Sequence, residues 1–124
     1  NELIDSNQMI NQSYQEKNRK LTEAMIEYTK LNYKDPELSL KNVAHMFHLT
    51  TAYVGKIFKS VQGVSYASYV TQCRLEEAKE LLLETSKTIG EISSELGFVN
   101  SAYFTTVFKN VYGMTPTAFR SQGK

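Results

Sequence analysis

One cysteine, two prolines and no tryptophan occur in 124 residues, and basic side chains outnumber acidic ones by a single charge. Each shortage excludes something. A lone thiol, Cys73, cannot build an internal disulfide framework, and no Cys/His spacing matches a zinc site. That usage fits a reducing cytoplasm, the expected location. No apolar run is long enough to span a bilayer and no signal peptide is visible, so no membrane attachment is expected. His45 and His48 lie three apart without a third ligand nearby, and no metal is expected. Paired carboxylates in a pocket context, a nucleophile beside a base and a phosphate-cradling loop are all missing, so the chain does not read as an enzyme and no cofactor is expected. The net charge of +1 is lower than that of many nucleic-acid binders, so where the charges sit matters more than their sum. The first residue is Asn1 rather than Met, as expected for a piece of a longer protein.

What remains is ordinary globular composition, with 41% hydrophobic and 22% charged residues, which argues against wholesale disorder. Residues 1–20 are rich in Asn, Gln, Glu and Lys without a clear period, and read as a linker or a loosely held helix. From Leu21 the spacing of Leu21, Met25, Ile26, Tyr28, Leu31 and Tyr33 is helical, until Asp35-Pro36 stops it. Ser39 is placed to cap a helix carrying Leu40, Val43, Ala44 and Phe47. A second helix carries Tyr53, Val54, Ile57, Phe58 and Val61 and ends before Gly63. Ser65 opens a longer helix to about Glu84. Thr88 and Glu91 form a capping-box pattern ahead of Ile89, Ile92 and Leu96. Another helix holds Tyr103, Phe104, Val107, Phe108 and Val111 and ends before Gly113, and Thr115-Pro116 opens a last short one. No segment keeps strand alternation, so the fold class expected is all-α.

Two stretches are alike. Ala52, Tyr53, Phe58, Lys59, Val61 and Gly63 recur 50 residues later as Ala102, Tyr103, Phe108, Lys109, Val111 and Gly113. Each stretch follows a short amphipathic helix and a turn, so a helix-turn-helix unit appears twice. At about 100° per residue, Tyr103, Phe104, Val107, Phe108 and Val111 share a face about 140° wide, expected to be buried. The opposite face carries Ala102, Thr105, Thr106 and Lys109, and in the first copy Ala52, Gly55, Lys56 and Lys59. A front without bulk lets a helix sit deep in a DNA major groove, with lysines at its edge meeting phosphates. The helix from Ser65 to Glu84 is roughly 30 Å long, and successive major-groove faces lie about 34 Å apart, so it suits a spacer between two reading heads.

At this point the chain resembles the AraC/XylS family of transcription regulators, over about residues 38–120. The carriers are Gly97-Phe98, the aromatic pair Tyr103-Phe104, Phe108-Lys109, Gly113, Pro116 after Thr115, and Arg120. Tyr69 to Thr85, with Arg74, Ala78 and the leucines, is similar to the family's linker helix. The resemblance implies two helix-turn-helix subdomains (21–64 and 85–124) joined by a long connecting helix (65–84). It further implies sequence-specific binding of double-stranded promoter DNA and regulation of transcription, usually activation, with recognition helices at about 51–61 and 101–111. The base-facing candidates are Thr51, Ala52, Gly55 and Lys56 in the first unit, and Ser101, Ala102, Thr105 and Thr106 in the second. Lys59, Lys109 and Asn100 are the phosphate candidates, with Asn100 read foremost as a helix cap. Members usually attach this module to an upstream sensing, receiver or dimerisation domain.

Two departures stand out: Thr106 where many members carry Arg, and His48 in a turn where the family often has Gly. Histidine tolerates positive φ better than most residues, so the turn is expected to survive. Arg74 and Arg120 read as structural salt-bridge residues and Cys73 as a small packed one. Glu76, Glu77, Glu80 and Glu84 read as a solvated face with partners such as Lys79; RNA polymerase is the less favoured partner for that patch. The alternative function is a protein-interaction module of the same fold that has lost specific DNA reading, motivated by the weak net charge and the small front.

Overall fold

The structure, a computed structural model, describes residues 2–123, with side chains described for Met9 and residues 11–123. Among them it contains seven helices and no strand: α1 (Glu2–Asn32), α2 (Leu40–Met46), α3 (Thr51–Gln62), α4 (Tyr66–Glu84), α5 (Ile89–Glu95), α6 (Ser101–Tyr112) and α7 (Pro116–Gln122). Of the two readings of residues 1–20, linker or helix, the helix is what is found: α1 runs on for 31 residues. Its polar half includes Glu, Gln, Lys and Arg, which lose little rotamer freedom in a helix, alongside the less favourable Asn and Ser. Arg19 also pairs with Glu16 and Glu23 one turn to either side.

The chain divides into two compact units, residues 1–31 with 39–68, and residues 32–38 with 69–124. In the first, Met25, Val43, Val54, Phe58 and Tyr66 are buried. Thr22 and Thr29 are buried beside Met25 on α1, whereas Leu31, expected on the inner face, is exposed. Thr29 Oγ1 donates to the Met25 carbonyl at 2.7 Å and lies 2.6 Å from Tyr66 Oη. Its single proton is used on Met25, so the Tyr66 phenol is the donor to Thr29.

The core of the second unit is Leu75, Ala78, Leu82, Ile92, Leu96, Phe98, Phe104 and Phe108. Two arginines tie loops to it through carbonyls rather than through the salt bridges expected of them. Arg74 donates to the carbonyls of Tyr33 at 2.6 Å and Asp35 at 3.0 Å, with its guanidinium 5.7 Å from the Phe98 ring centre. Arg120 donates to the carbonyls of Leu82 and Thr85, groups that the end of α4 leaves without helical partners. Arg74 thereby places residues 32–38 with the second unit, although α1 itself belongs to the first.

Glu77 departs from the expected solvated face. It accepts from the Tyr33 phenol at 2.5 Å and from Lys34 Nζ at 2.9 Å, while Lys79 lies 4.6 Å from the Tyr112 ring centre. Burial pushes the Glu77 carboxyl up, but the hydrogen bonds from Tyr33 and Lys34 outweigh it and the net direction is below the ordinary value of 4.5. A carboxyl depressed in the folded state stabilises fully above its unfolded value, and that contribution is lost as pH falls through the folded one. Glu77→Gln is therefore expected to cost about 1 kcal/mol at neutral pH. Melting curves from pH ~7 to ~3 should show the variant losing less stability on acidification than the parent; parallel curves would contradict the assignment.

Candidate nucleic-acid interface

Four helix starts define the two helix-turn-helix units, and each is capped by a side chain, three of them expected from sequence (Ser39, Thr88 and Asn100) and the fourth, Thr50, not. Ser39 Oγ accepts from Asn42 N at the start of α2, and Thr50 Oγ1 from Tyr53 N at the start of α3. Thr88 Oγ1 accepts from Glu91 N at α5, and Asn100 Oδ1 from Tyr103 N at α6, at 3.0 and 2.7 Å. The helices α3 and α6 close alike: Gly63 N donates to Lys59 O and Gly113 N to Lys109 O, both at 2.8 Å, with φ of 85° and 80°.

The turns between the paired helices also match, but not residue for residue. The caps of α2 and α5 are 49 positions apart, those of α3 and α6 are 50. The second turn therefore holds one more residue. Both turns leave the first helix through a left-handed residue, His48 at φ 59° and Gly97 at φ 88°. Around them Leu49 N donates to Ala44 O and Phe98 N to Ser93 O, the same closing bond in both. The histidine thus takes the conformation expected of it. A Cβ at Gly97 would meet the Lys34 carbonyl oxygen at 2.6 Å, so glycine is required there for space as well as for φ. His48 has no such crowding and bears only the backbone cost. His48→Gly is expected to change stability in the favourable direction by up to about 1 kcal/mol, the αL penalty less glycine's extra entropy; a drop in urea midpoint would contradict this.

Against these scaffolds the recognition-helix candidates turn one face inward. Val54, Ile57 and Phe58 of α3 are buried, as are Phe104 and Phe108 of α6, with Val107 half-buried. The inward face is narrower than the expected 140° stripe. Tyr53, Val61, Tyr103 and Val111 remain 42–50% exposed. Tyr103 lies about 100° from Phe104 around the helix, at the flank of the stripe. Val111 lies in line with the buried residues but in the last turn, and stays half exposed.

The outward face holds the expected residues. Thr51, Ala52, Lys56 and Lys59 are exposed on α3, and Ser101, Ala102, Thr106 and Lys109 on α6. Thr105 and Gly55 are half-buried. Position 55 offers only backbone to a partner, and the space its Cβ would take is filled by Leu40 Cδ2, 2.8 Å away. The missing side chain lets α3 approach α2. Thr106 Oγ1 donates to the Ala102 carbonyl at 3.1 Å, so the hydroxyl faces outward as an acceptor. Asn100 is the α6 cap, as expected foremost; its Oδ1 is used in the cap and its amide nitrogen is left over. Lys56, Lys59 and Lys109 make no ion pair among the described residues, whereas Lys34 and Lys87 are engaged by Glu77 and Glu95. The three lysines of the fronts are thus available to a partner.

Among the described residues no group of three or more His, Cys, Asp or Glu is placed to hold a metal ion, and no helix is long and apolar enough to cross a membrane. His45 and His48 are exposed, and Cys73 is half-buried.

Residues 43–122 match a family model described as a helix-turn-helix domain. Among curated proteins, the bifunctional transcriptional activator/DNA repair enzyme AdaA of Bacillus subtilis is 35% identical over 98 residues, covering 79% of this chain and 46% of that protein. Among solved structures, the C-terminal domain of AraT, a response regulator from Geobacillus stearothermophilus, superposes with a TM-score of 0.79 at 29% identity, covering 82% of this chain and 84% of the other. The C-terminal domain of the two-component response regulator yesN from Fusobacterium nucleatum does so with a TM-score of 0.74 at 33% identity, covering 82% and 96%. The chain spans half or less of the length of the curated relatives it matches, 46%, 32% and 24% for three of them.

Proposed function

The chain belongs to the AraC-type helix-turn-helix family of DNA-binding regulator domains, and on that premise we propose that it binds double-stranded DNA sequence-specifically and regulates transcription, with α3 and α6 as its two recognition helices. The observation that carries this reading is the matched pair of fronts. Each is exposed and free of bulk, and has an unpaired lysine in its last turn, Lys59 or Lys109. A front of this kind fits a major groove, and a lysine at the helix end reaches the phosphate rim. Regulation by activation follows the relative named as a transcriptional activator. The repair activity in the same name is not transferred, since the fronts offer no nucleophile with a neighbouring base.

Roles divide within each front. Thr51, Ala52 and Lys56, with the backbone of Gly55, face bases in the first unit; Ser101, Ala102, Thr105 and Thr106 do so in the second. Lys59, Lys109 and the spare amide of Asn100 face phosphates. A lysine donates to guanine O6 or N7, and a hydroxyl whose proton is given to a backbone carbonyl, as that of Thr106 is to Ala102, suits as acceptor the amino group of adenine or cytosine. Lys56→Ala and Thr106→Ala are therefore expected to change preference at separate positions of a DNA site, by about 1–3 kcal/mol at the affected base pair. Selection of duplexes from a random library with each variant reads this. An unchanged motif for both variants would contradict the division of roles.

A further inference from the structure

Sequence spacing places Tyr53 and Tyr103 on the inward face of their helices, yet the two remain 45% and 49% exposed. They occupy the same place in both copies, three residues past the cap, where the backbone N–H of each is taken by Thr50 or Asn100. Their phenols are not used by the fold: neither hydroxyl makes a hydrogen bond among the described residues. Elsewhere Tyr33 spends its phenol on Glu77 and Tyr66 on Thr29, whereas the buried Tyr112 hydroxyl has no hydrogen-bond partner among the described residues. The Tyr103 ring is seated, 6.3 Å from that of Phe98, so half the side chain is anchored and the hydroxyl end is outside. Around the helix each tyrosine lies about 60° from the front residue three positions on, Lys56 or Thr106. That is the flank of the front, where a helix lying in a groove passes the sugar-phosphate backbone.

We propose that Tyr53 and Tyr103 are a matched pair of neutral phosphate donors, one in each unit, which fix each recognition helix in its groove. This rests on the DNA-binding reading above and adds to it a second kind of backbone contact. Tyrosine hydroxyls are regular donors to phosphate oxygens. A tyrosine pays little entropy to make such a bond, because only two side-chain torsions are involved, and the Tyr103 ring is in addition packed on Phe98. Charge separates these contacts from those of the lysines. A lysine on a phosphate releases counterions and steepens the dependence of affinity on salt by about 0.9 in the log–log slope; a phenol releases none.

The test uses the 124-residue chain, its Tyr53→Phe and Tyr103→Phe variants, and two duplexes: one enriched from a random library by the parent chain and one of unrelated sequence. Each variant is expected to bind both duplexes about three- to tenfold more weakly, as for loss of one hydrogen bond to a charged acceptor. The salt slope and the melting temperature are expected to stay at the parent's values. Unchanged affinity in both variants, with the parent binding normally, would overturn the proposal and leave the DNA-binding reading standing. A loss of affinity matched by a fall in melting temperature would assign the phenols to the scaffold and overturn it as well. A parent chain that binds neither duplex would remove the DNA-binding reading itself.

Discussion

Phe108→Ala is expected to lower the stability of the second unit by about 3–5 kcal/mol. Phe108 is fully buried at the centre of an aromatic cluster. Its ring meets Phe104 at 5.9 Å, Phe119 at 5.6 Å and Tyr112 at 4.7 Å between centroids, all edge-on. Alanine leaves a cavity lined by three rings that are themselves fixed by other neighbours, so little collapse can fill it. Small domains hold only about 5–15 kcal/mol in all, and the loss is a large share of that. The effect also reaches function, because the inward face of α6 is what aims its front. Urea titration followed by circular dichroism measures the loss; a shift under about 1 kcal/mol would contradict the packing described, this being the size expected of a surface site.

The second large effect is electrostatic and leaves the fold alone. The double variant Lys59→Ala, Lys109→Ala removes two cations that no carboxylate holds among the described residues, so stability should move by less than about 0.5 kcal/mol. Affinity for duplex DNA should fall on every sequence by a similar factor, since phosphates carry no sequence information. The slope of log affinity against log salt should become shallower by about 1.8, two phosphates at about 0.9 each. Titration at several salt concentrations on specific and unrelated duplexes reads both quantities. A variant that altered sequence preference while keeping its salt slope would move these lysines from the phosphates to the bases.

Much of this fold is legible because its signals are local. Caps at Ser39, Thr88 and Thr115 need only a hydroxyl ahead of a helical run, and the proline after Asp35 needs no partner at all. Duplication adds a check that single patterns lack, because two copies of a front with lysine at one position are unlike chance amphipathic helices. The less legible features depend on where a neighbour stops. Period alone puts Tyr103 and Val111 on the inner stripe, but each is only partly covered, Tyr103 at the flank and Val111 in the last turn. Thr22 and Thr29 are polar and fall outside any apolar count, yet both are buried on α1; the Thr29 hydroxyl is satisfied by the Met25 carbonyl and the Tyr66 phenol, while that of Thr22 has no partner among the described residues. Arg74 and Arg120 show in sequence as charges seeking carboxylates. Their partners are backbone carbonyls at and just past helix ends, which no residue type announces. Glu77 sits among three other glutamates, and only its approach to Tyr33 and Lys34 sets it apart. The front of α3 and α6 was readable as a list of residues, but not that Gly55 owes its identity to Leu40.

Selection of duplex DNA from a random library by the purified 124-residue chain, followed by titration of the winners at two salt concentrations, tests the central claim most directly. The account predicts an enriched motif of two boxes about ten base pairs apart, bound far more tightly than unrelated duplex and weakening steeply with salt. A chain that enriches no motif, and binds its best duplex no better than a random one, would contradict it and favour a protein-interaction module built on the same fold.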